Sequence, residues 1–328
     1  MKKLFSLSLF FVAVLSLTSC GEHPLDVYKF NYADMDKDVM PISGWVAPAS
    51  IGGFNTLEQY KILKESGLNS IYGHYEQYGV LAGGVDAQGN PKTYNGTDEI
   101  YKALEYAQEV GVKYFIRDGN LFKKDGKDFK NEFEARNYTK YSSFAGFHYT
   151  DEPKTHERFV EISTNYKKFR NYVDDKYAFY VNLNPMELFT YNHGTIDDYK
   201  AHVNDYLDTV NPRFISYDMY CPFGEFPSVK SHYFKQLDII STIASERHLP
   251  FWAFALATGH SFLNGGAYRA PREEDIYFQV NTILAYGAKA VQYFCYQTPL
   301  FTDETSTENY HNQGGSIINE KGEKLSDE

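Results

Sequence analysis

Two adjacent acids, Asp151 and Glu152, close the ten-residue stretch FAGFHYTDEP (144–153), and Pro153 follows them. The stretch is rich in aromatics and suits a buried strand, so its last residues put costly charge at the edge of a core. Acids placed there are equipped for proton transfer: one carboxyl held protonated by burial and a charged neighbour, a second left ionised as base or nucleophile. Cleavage of a glycosidic bond needs such a pairing. The competing explanation is structural. Both acids could cap the helix that follows, whose first turn favours negative charge, with Pro153 preset for that turn. Capping explains one acid more naturally than two.

The elements that would have to position this pair follow from periodicity. Apolar runs suited to buried strands alternate with amphipathic stretches of helical period through most of the chain. The strands expected are ISGWVAP from Ile42, LNSIYGHYE from Leu68, VKYFIRD from Val112, FAGFHYTDE from Phe144, YAFYVNLNP from Tyr177, RFISYDMY from Arg213, PFWAFALAT from Pro250 and AVQYFCYQTP from Ala290. Helices are expected over 55–66, 97–110, 132–141, 154–173, 196–210, 231–247 and 272–286, with Gly67, Gly111 and Gly287 as C-terminal stops. Eight strands in one unbroken β-α series favour an α/β chain folded as a closed (β/α)8 barrel over an open doubly wound sheet. No G-x-G-x-x-G follows the first strand and no G-x-x-x-x-G-K-[ST] occurs, so nucleotide-binding folds lose their usual support. After the last strand comes a polar stretch from Asp303, and then SIINEKGEKLSDE ends the sequence where an eighth helix should begin. The expectation is a barrel whose eighth helix is missing or truncated, with a reading frame that continues, because an uncovered helix position would wet apolar strand faces.

In such a barrel the site is built at the C-terminal ends of the strands. The residues there are Trp45 on the first strand, Tyr72, His74 and Glu76 on the second, Arg117 and Asp118 on the third, Asn182 and Asn184 on the fifth, Asp218 and Tyr220 on the sixth, and Tyr296 and Gln297 on the eighth. Any one of them alone is as well explained as a cap or loop hydrogen bond. Strict alternation puts His148, Thr150 and Glu152 on one face of the fourth strand, and Phe147, Tyr149 and Asp151 on the other. Glu152 then faces the barrel mouth and Asp151 a neighbouring strand or loop. The same parity groups Ser216, Asp218 and Tyr220, so Glu152 and Asp218 are the leading catalytic pair. With 29 tyrosines and 25 phenylalanines in the chain, Trp45, Tyr72, Tyr220 and Tyr296 are candidate platforms for sugar rings. His74 and His260 have no third ligand at a fitting spacing, so neither a metal nor another cofactor is expected.

The N-terminus sets the compartment. Lys2 and Lys3 lead into an apolar run over 4–17 that is short of the roughly 20 residues a membrane span needs. The run closes on Leu17-Thr18-Ser19-Cys20-Gly21, which resembles a bacterial lipobox, in which the cysteine is acylated and becomes the first mature residue. This implies a signal peptide over 1–19, a lipidated linker over 20–40, a single barrel domain over 41–328, and lipid anchoring at the bacterial cell envelope. Loss of Lys2 and Lys3 would make the net charge of −11 two units more negative, which argues against nucleic acid as a partner and is neutral about uncharged sugars. The other cysteines, Cys221 and Cys295, lack metal-knuckle spacing and are expected as packed thiols, with a disulfide left open.

With the barrel pattern running from Ile42 to Pro299, the chain resembles the TIM-barrel glycoside hydrolases, above all the large clan whose acid/base glutamate ends strand four in Asn-Glu-Pro. Asp151-Glu152-Pro153 matches that position with aspartate for asparagine, and the resemblance implies Glu152 as the acid/base. The clan's nucleophile glutamate ends strand seven, where FWAFALATGH carries no acid. Two mechanisms remain. Asp218, or else Glu76 or Asp118, supplies the second carboxylate; or Asp151 orients a substrate's own acetamido group, as in the substrate-assisted hexosaminidases, whose Asp-Glu pair is similar. Tyr217-Asp218 also resembles the Tyr-Asp of the chitinase-type barrels. The function expected is hydrolysis of an oligo- or polysaccharide at the cell surface. The alternative is a carbohydrate-binding lipoprotein that kept the barrel and lost the chemistry.

Overall fold

A computed structural model describes residues 39–50, 53–74, 96–191, 194–229, 232–262, 267–297, 308–309 and 317–318. Eight parallel strands close into a barrel: β1 (Ile42–Gly44), β2 (Ser70–Tyr72), β3 (Lys113–Ile116), β4 (Phe144–Asp151), β5 (Ala178–Leu183), β6 (Ile215–Tyr217), β7 (Phe251–Leu256) and β10 (Ala290–Phe294). The seam is made by β1, which pairs with β2 on one side and with β10 on the other. Outside the strands lie α1 (Leu57–Glu65), α2 (Gly96–Val110), α4 (Gly126–Arg136), α5 (His156–Tyr172), α7 (Ile196–Val210), α8 (Tyr233–Glu246) and α9 (Glu273–Ala285).

The expectation of a barrel short of its eighth helix is corrected. The described residues hold nine α-helices around the eight barrel strands, because α3 (Gly119–Phe122) and α6 (Glu187–Tyr191) are extra turns inserted after β3 and β5. Both are too short to show helical periodicity in sequence. A second insertion, the hairpin β8 (His260–Phe262) and β9 (Ala267–Tyr268), follows β7 and pairs with β11 (Glu308–Asn309) in a small antiparallel sheet. Gly67, Gly111 and Gly287 do follow helix ends with positive φ, at 83°, 69° and 96°. Cys221 and Cys295 are buried free thiols, and no helix among the described residues is long and apolar enough to cross a membrane.

Aromatic residues fill both sides of the barrel wall. Outside, Phe147, Phe169 and Phe179 pack between strands and helices, while Tyr149 stacks on Phe179 at 4.5 Å. Inside, Phe214 and Trp252 stack at 4.0 Å, and Phe115 lies against Tyr72 at 4.7 Å. At one position the strands approach so closely that only glycine fits. A β-carbon on Gly146 of β4 would stand 2.0 Å from the carbonyl oxygen of Ala178 on β5, and the residue's φ is +128°.

Candidate active site

The order of side chains along β4 builds the site. His148 points into the barrel, with its ring 4.5 Å from Trp45 and its Nδ1 donating to the Gly73 carbonyl at 2.8 Å. Tyr149 and Thr150 both turn outward to α5: Asn165 donates to the Tyr149 hydroxyl at 2.6 Å, and Arg158 to Thr150 Oγ1 at 3.1 Å. Two consecutive outward residues are a β-bulge, and the pairing records it: His148 sits opposite Tyr180 and Thr150 opposite Val181, with Tyr149 skipped. Past the bulge the parity is reversed, so Asp151, opposite Asn182, returns to the inner face. Strict alternation had turned Asp151 away from the mouth; the bulge is the reason it is not.

Glu152 reaches the same space by another route. Its backbone N–H still pairs with the Asn182 carbonyl at 2.9 Å, but its φ is +45°, in the left-handed region that costs a residue with a β-carbon about 1–2 kcal/mol. The turn brings the side chain back to the mouth beside Asp151. Capping does not explain the pair. The N-cap of α5 is Thr155, whose hydroxyl accepts from the Arg158 N–H at 3.3 Å.

Asp151, Glu152, Asn182 and Asp218 share one cavity of about 220 Å3 with Trp45, His74, Tyr220, Phe254, His260 and Phe294. Asn182 Nδ2 donates to Asp218 Oδ1 at 2.7 Å and to Asp151 Oδ1 at 3.2 Å, so one amide bridges two carboxyls. Asp218 is 6% exposed. Burial, then the charges of Glu152 and Asp151, push its carboxyl well above the usual range, with the Asn182 hydrogen bond opposing them. The group held protonated is therefore Asp218. His74 is neutral, pushed down to about 3 by burial and by the Arg117 cation. Arg117 donates to its Nδ1 at 2.9 Å, which leaves Nε2–H as the remaining ring donor. Burial and the three carboxyls raise the Tyr220 phenol, so it too is a neutral donor.

Several expected site residues are used elsewhere. Tyr72 lies in the core below the mouth and donates to Gln292 Oε1 at 2.7 Å. Asp118 caps α3 through the Leu121 N–H, accepts from the Tyr138 hydroxyl at 2.8 Å and pairs with Arg136 at 2.9 Å. Tyr296 turns to the helix layer, its hydroxyl 3.4 Å from the Gln59 carbonyl of α1. Gln297 is buried and accepts from the Ala49 N–H at 2.8 Å, and Asn184 is buried beyond β5 but does not line the cavity. Glu76 and Cys20 lie outside the described residues. Three wall residues were not anticipated as such. Phe254 and Phe294 share inward parity with Trp252 and Gln292, a signal that was available, whereas His260 arrives on the inserted hairpin.

A larger groove of about 820 Å3 lies at the opposite end of the barrel, among residues such as Tyr166, Arg170, Asn211 and Arg213. Its acid, Asp208, is paired with Arg247 at 2.6 Å. Size and chemistry thus point to different ends, and the carboxyl geometry decides for the mouth. Among the described residues no group of three or more metal-ligating side chains could hold an ion.

No family model matches the chain, and no curated protein matches it. Solved structures do. A protein from Bacteroides thetaiotaomicron assigned as an α-L-fucosidase is 10% identical, with a TM-score of 0.54 over 85% of this chain and 92% of that one. Two structures of endo-β-1,4-mannanase from Thermotoga petrophila are 12% and 11% identical with a TM-score of 0.51 each; they cover 88% and 86% of this chain and 74% and 95% of theirs. At such identities the likeness shows the fold alone, and that fold is the closed (β/α)8 barrel.

Proposed function

We propose that the chain is a glycoside hydrolase working from the carboxyl cluster at the barrel mouth. The observation that carries this is the convergence of Asp151, Glu152 and Asp218 on one aromatic-walled cavity at the C-terminal ends of the strands. Glycosidic bonds are cleaved by paired carboxyls of which one holds a proton, and Asp218 is kept protonated by burial and by its charged neighbours. Asp218, which holds the proton, is the acid for the departing oxygen, and Glu152, less buried and charged beside it, is the base or nucleophile, the reverse of the roles expected from the fourth-strand motif. The cluster exchanges its proton as a unit. Trp45, Tyr220, Phe254 and Phe294 offer ring faces to the C–H faces of a sugar.

A panel of oligosaccharides tests this. The wild type should release sugar from at least one of them, and Glu152→Gln and Asp218→Asn should each slow release about 10²–10⁴-fold with ligand binding retained. Binding by the wild type without release from any substrate would sink the hydrolase reading. It would favour a second one, a glycan-binding barrel, for which the apolar β7 wall at Phe254 is the specific support. The run over 17–21 supports acylation at Cys20 and attachment to the envelope. Incorporation of labelled acyl chain should disappear in Cys20→Ala; label retained in that variant would remove the anchor.

A further inference from the structure

A chain of buried hydrogen bonds runs up the inside of the barrel and ends at the carboxyl cluster. Tyr72 and Tyr180 each place a hydroxyl 2.7 Å from Gln292 Oε1, which accepts from both. Gln292 Nε2 donates to Ser216 Oγ at 3.0 Å, and Ser216 Oγ donates to Asn182 Oδ1 at 3.0 Å. Asn182 then spends its NH2 group on Asp218 and Asp151. The direction of this chain follows from the protons available and the strength of the acceptors. Each tyrosine has one, and the shared carbonyl oxygen of Gln292 takes both. Its amide then presents N–H to Ser216, whose own proton has two acceptors in reach, the Tyr180 hydroxyl at 2.8 Å and Asn182 Oδ1 at 3.0 Å, of which the amide oxygen is the stronger acceptor. With its oxygen occupied, the Asn182 amide can turn only its nitrogen to the acids. An amide in the opposite orientation would set an oxygen against the Asp151 carboxylate.

We propose that Ser216, held by Gln292, is a positioning residue: it fixes the orientation of the Asn182 side chain and thereby the spacing and proton affinity of the two carboxyls that Asn182 bridges. It rests on the cluster being the site, yet it can be tested without a substrate. The groups facing Asp218 are Asp151 at the end of β4 and Glu152 just after it, Tyr180 from β5, Tyr199 from α7, Tyr217 at the end of β6 and Tyr220 in the segment beyond. Across the cavity stand the rings of His74 and His260, and among the described residues no lysine or arginine lines it. With no lysine or arginine in the wall, a neutral amide that touches both Asp218 and Asp151 is placed to set these carboxyls apart.

The test is a titration of the full chain labelled with 13Cγ-aspartate and followed by NMR. Loss of the Asn182 donor destabilises the ionised form, so Ser216→Ala should raise the Asp218 midpoint by about one pH unit. Ser216→Thr, which keeps the hydroxyl, should restore it, and Ser163→Ala, which removes a buried hydroxyl from α5 that donates to the Thr209 carbonyl, should leave it unchanged. A folded Ser216→Ala protein with the wild-type midpoint overturns the proposal. If that variant does not fold, the wild type still decides. Its Asn182 NH2 protons should exchange slowly with solvent and shift in step with Asp218; fast exchange, or shifts indifferent to pH, overturns the proposal. These readouts are independent of turnover, so a chain that cleaves no glycan refutes the hydrolase reading and leaves this one standing.

Discussion

The strands β4 and β7 belong to one barrel and are both largely buried, yet they end in opposite ways. β4 leaves regular geometry three times, at Gly146 with φ +128°, at the bulge around Tyr149, and at Glu152 with φ +45°. β7 pairs without a break with β10, and beyond its last β6 pair, Tyr217 with Ala253, its backbone is satisfied by a side chain. Gln279 of α9 accepts from the Leu256 N–H at 2.8 Å and donates to the Leu256 carbonyl at 3.2 Å. The irregular strand delivers two acids to the mouth; the regular one delivers Phe254 as wall. Departures from regular backbone are costly, and here they coincide with chemistry, while regularity coincides with support.

Substitutions can break this contrast, beginning with the most damaging. Gly146→Ala should cost about 4 kcal/mol or more, because the added carbon meets β5 backbone that cannot move aside; loss of the cooperative thermal transition is the expected result. Behind the regular strand, Gln279→Leu on α9 should cost about 2–3 kcal/mol by leaving the Leu256 N–H and carbonyl buried without this partner. Denaturant melts measure that loss, and the Asp218 titration should not change. The third effect is pH-dependent. The Asp218 carboxyl is raised in the folded state, so the folded chain keeps a proton that the unfolded chain releases. Its stabilising contribution is complete below about pH 4 and is lost as pH climbs toward the folded value, at up to about 1.4 kcal/mol per pH unit. Asp218→Asn should flatten that slope and melt higher than wild type at pH 7. The smallest effect isolates strain. Glu152→Gly should be about 0.5–1 kcal/mol more stable than Glu152→Gln, since both lose the charge and only glycine tolerates the backbone.

How far the sequence foretold this arrangement depended on period. Six long helices and eight strands were legible because each repeats a pattern over several residues, and α7 runs over 196–210 as its periodicity indicated; the helix expected over 132–141 is instead α4, Gly126–Arg136, stopped by Asn137 in the left-handed region. The four-residue α3 and five-residue α6 have no room for a period. Asp218, one residue past β6, was placed by parity because the chain there carries the alternation on into the cavity, whereas Asp151 was misplaced because nothing in Tyr149-Thr150 signals that both turn outward. Asp118 looked like a site acid because a strand end followed by a cap and a strand end in a mouth share the same letters. Tyr296 failed likewise: it lies two residues past the eighth strand, which ends at Phe294, and its direction, toward Gln59, was beyond what one residue can reveal.

The bulge also changes what kind of mutation could undo the site. Substitution at Tyr149 leaves the count of residues between His148 and Asp151 untouched, so the acids keep their places whatever side chain stands there. Deletion of Tyr149 would keep Asp151 inward as well, because His148, Thr150 and Asp151 would then alternate plainly opposite Tyr180, Val181 and Asn182. What would undo the site is Tyr149 drawn into the ladder at unchanged length, which would turn Thr150 inward and Asp151 toward the helices; the acid's direction is held by one residue that the strand leaves without a partner.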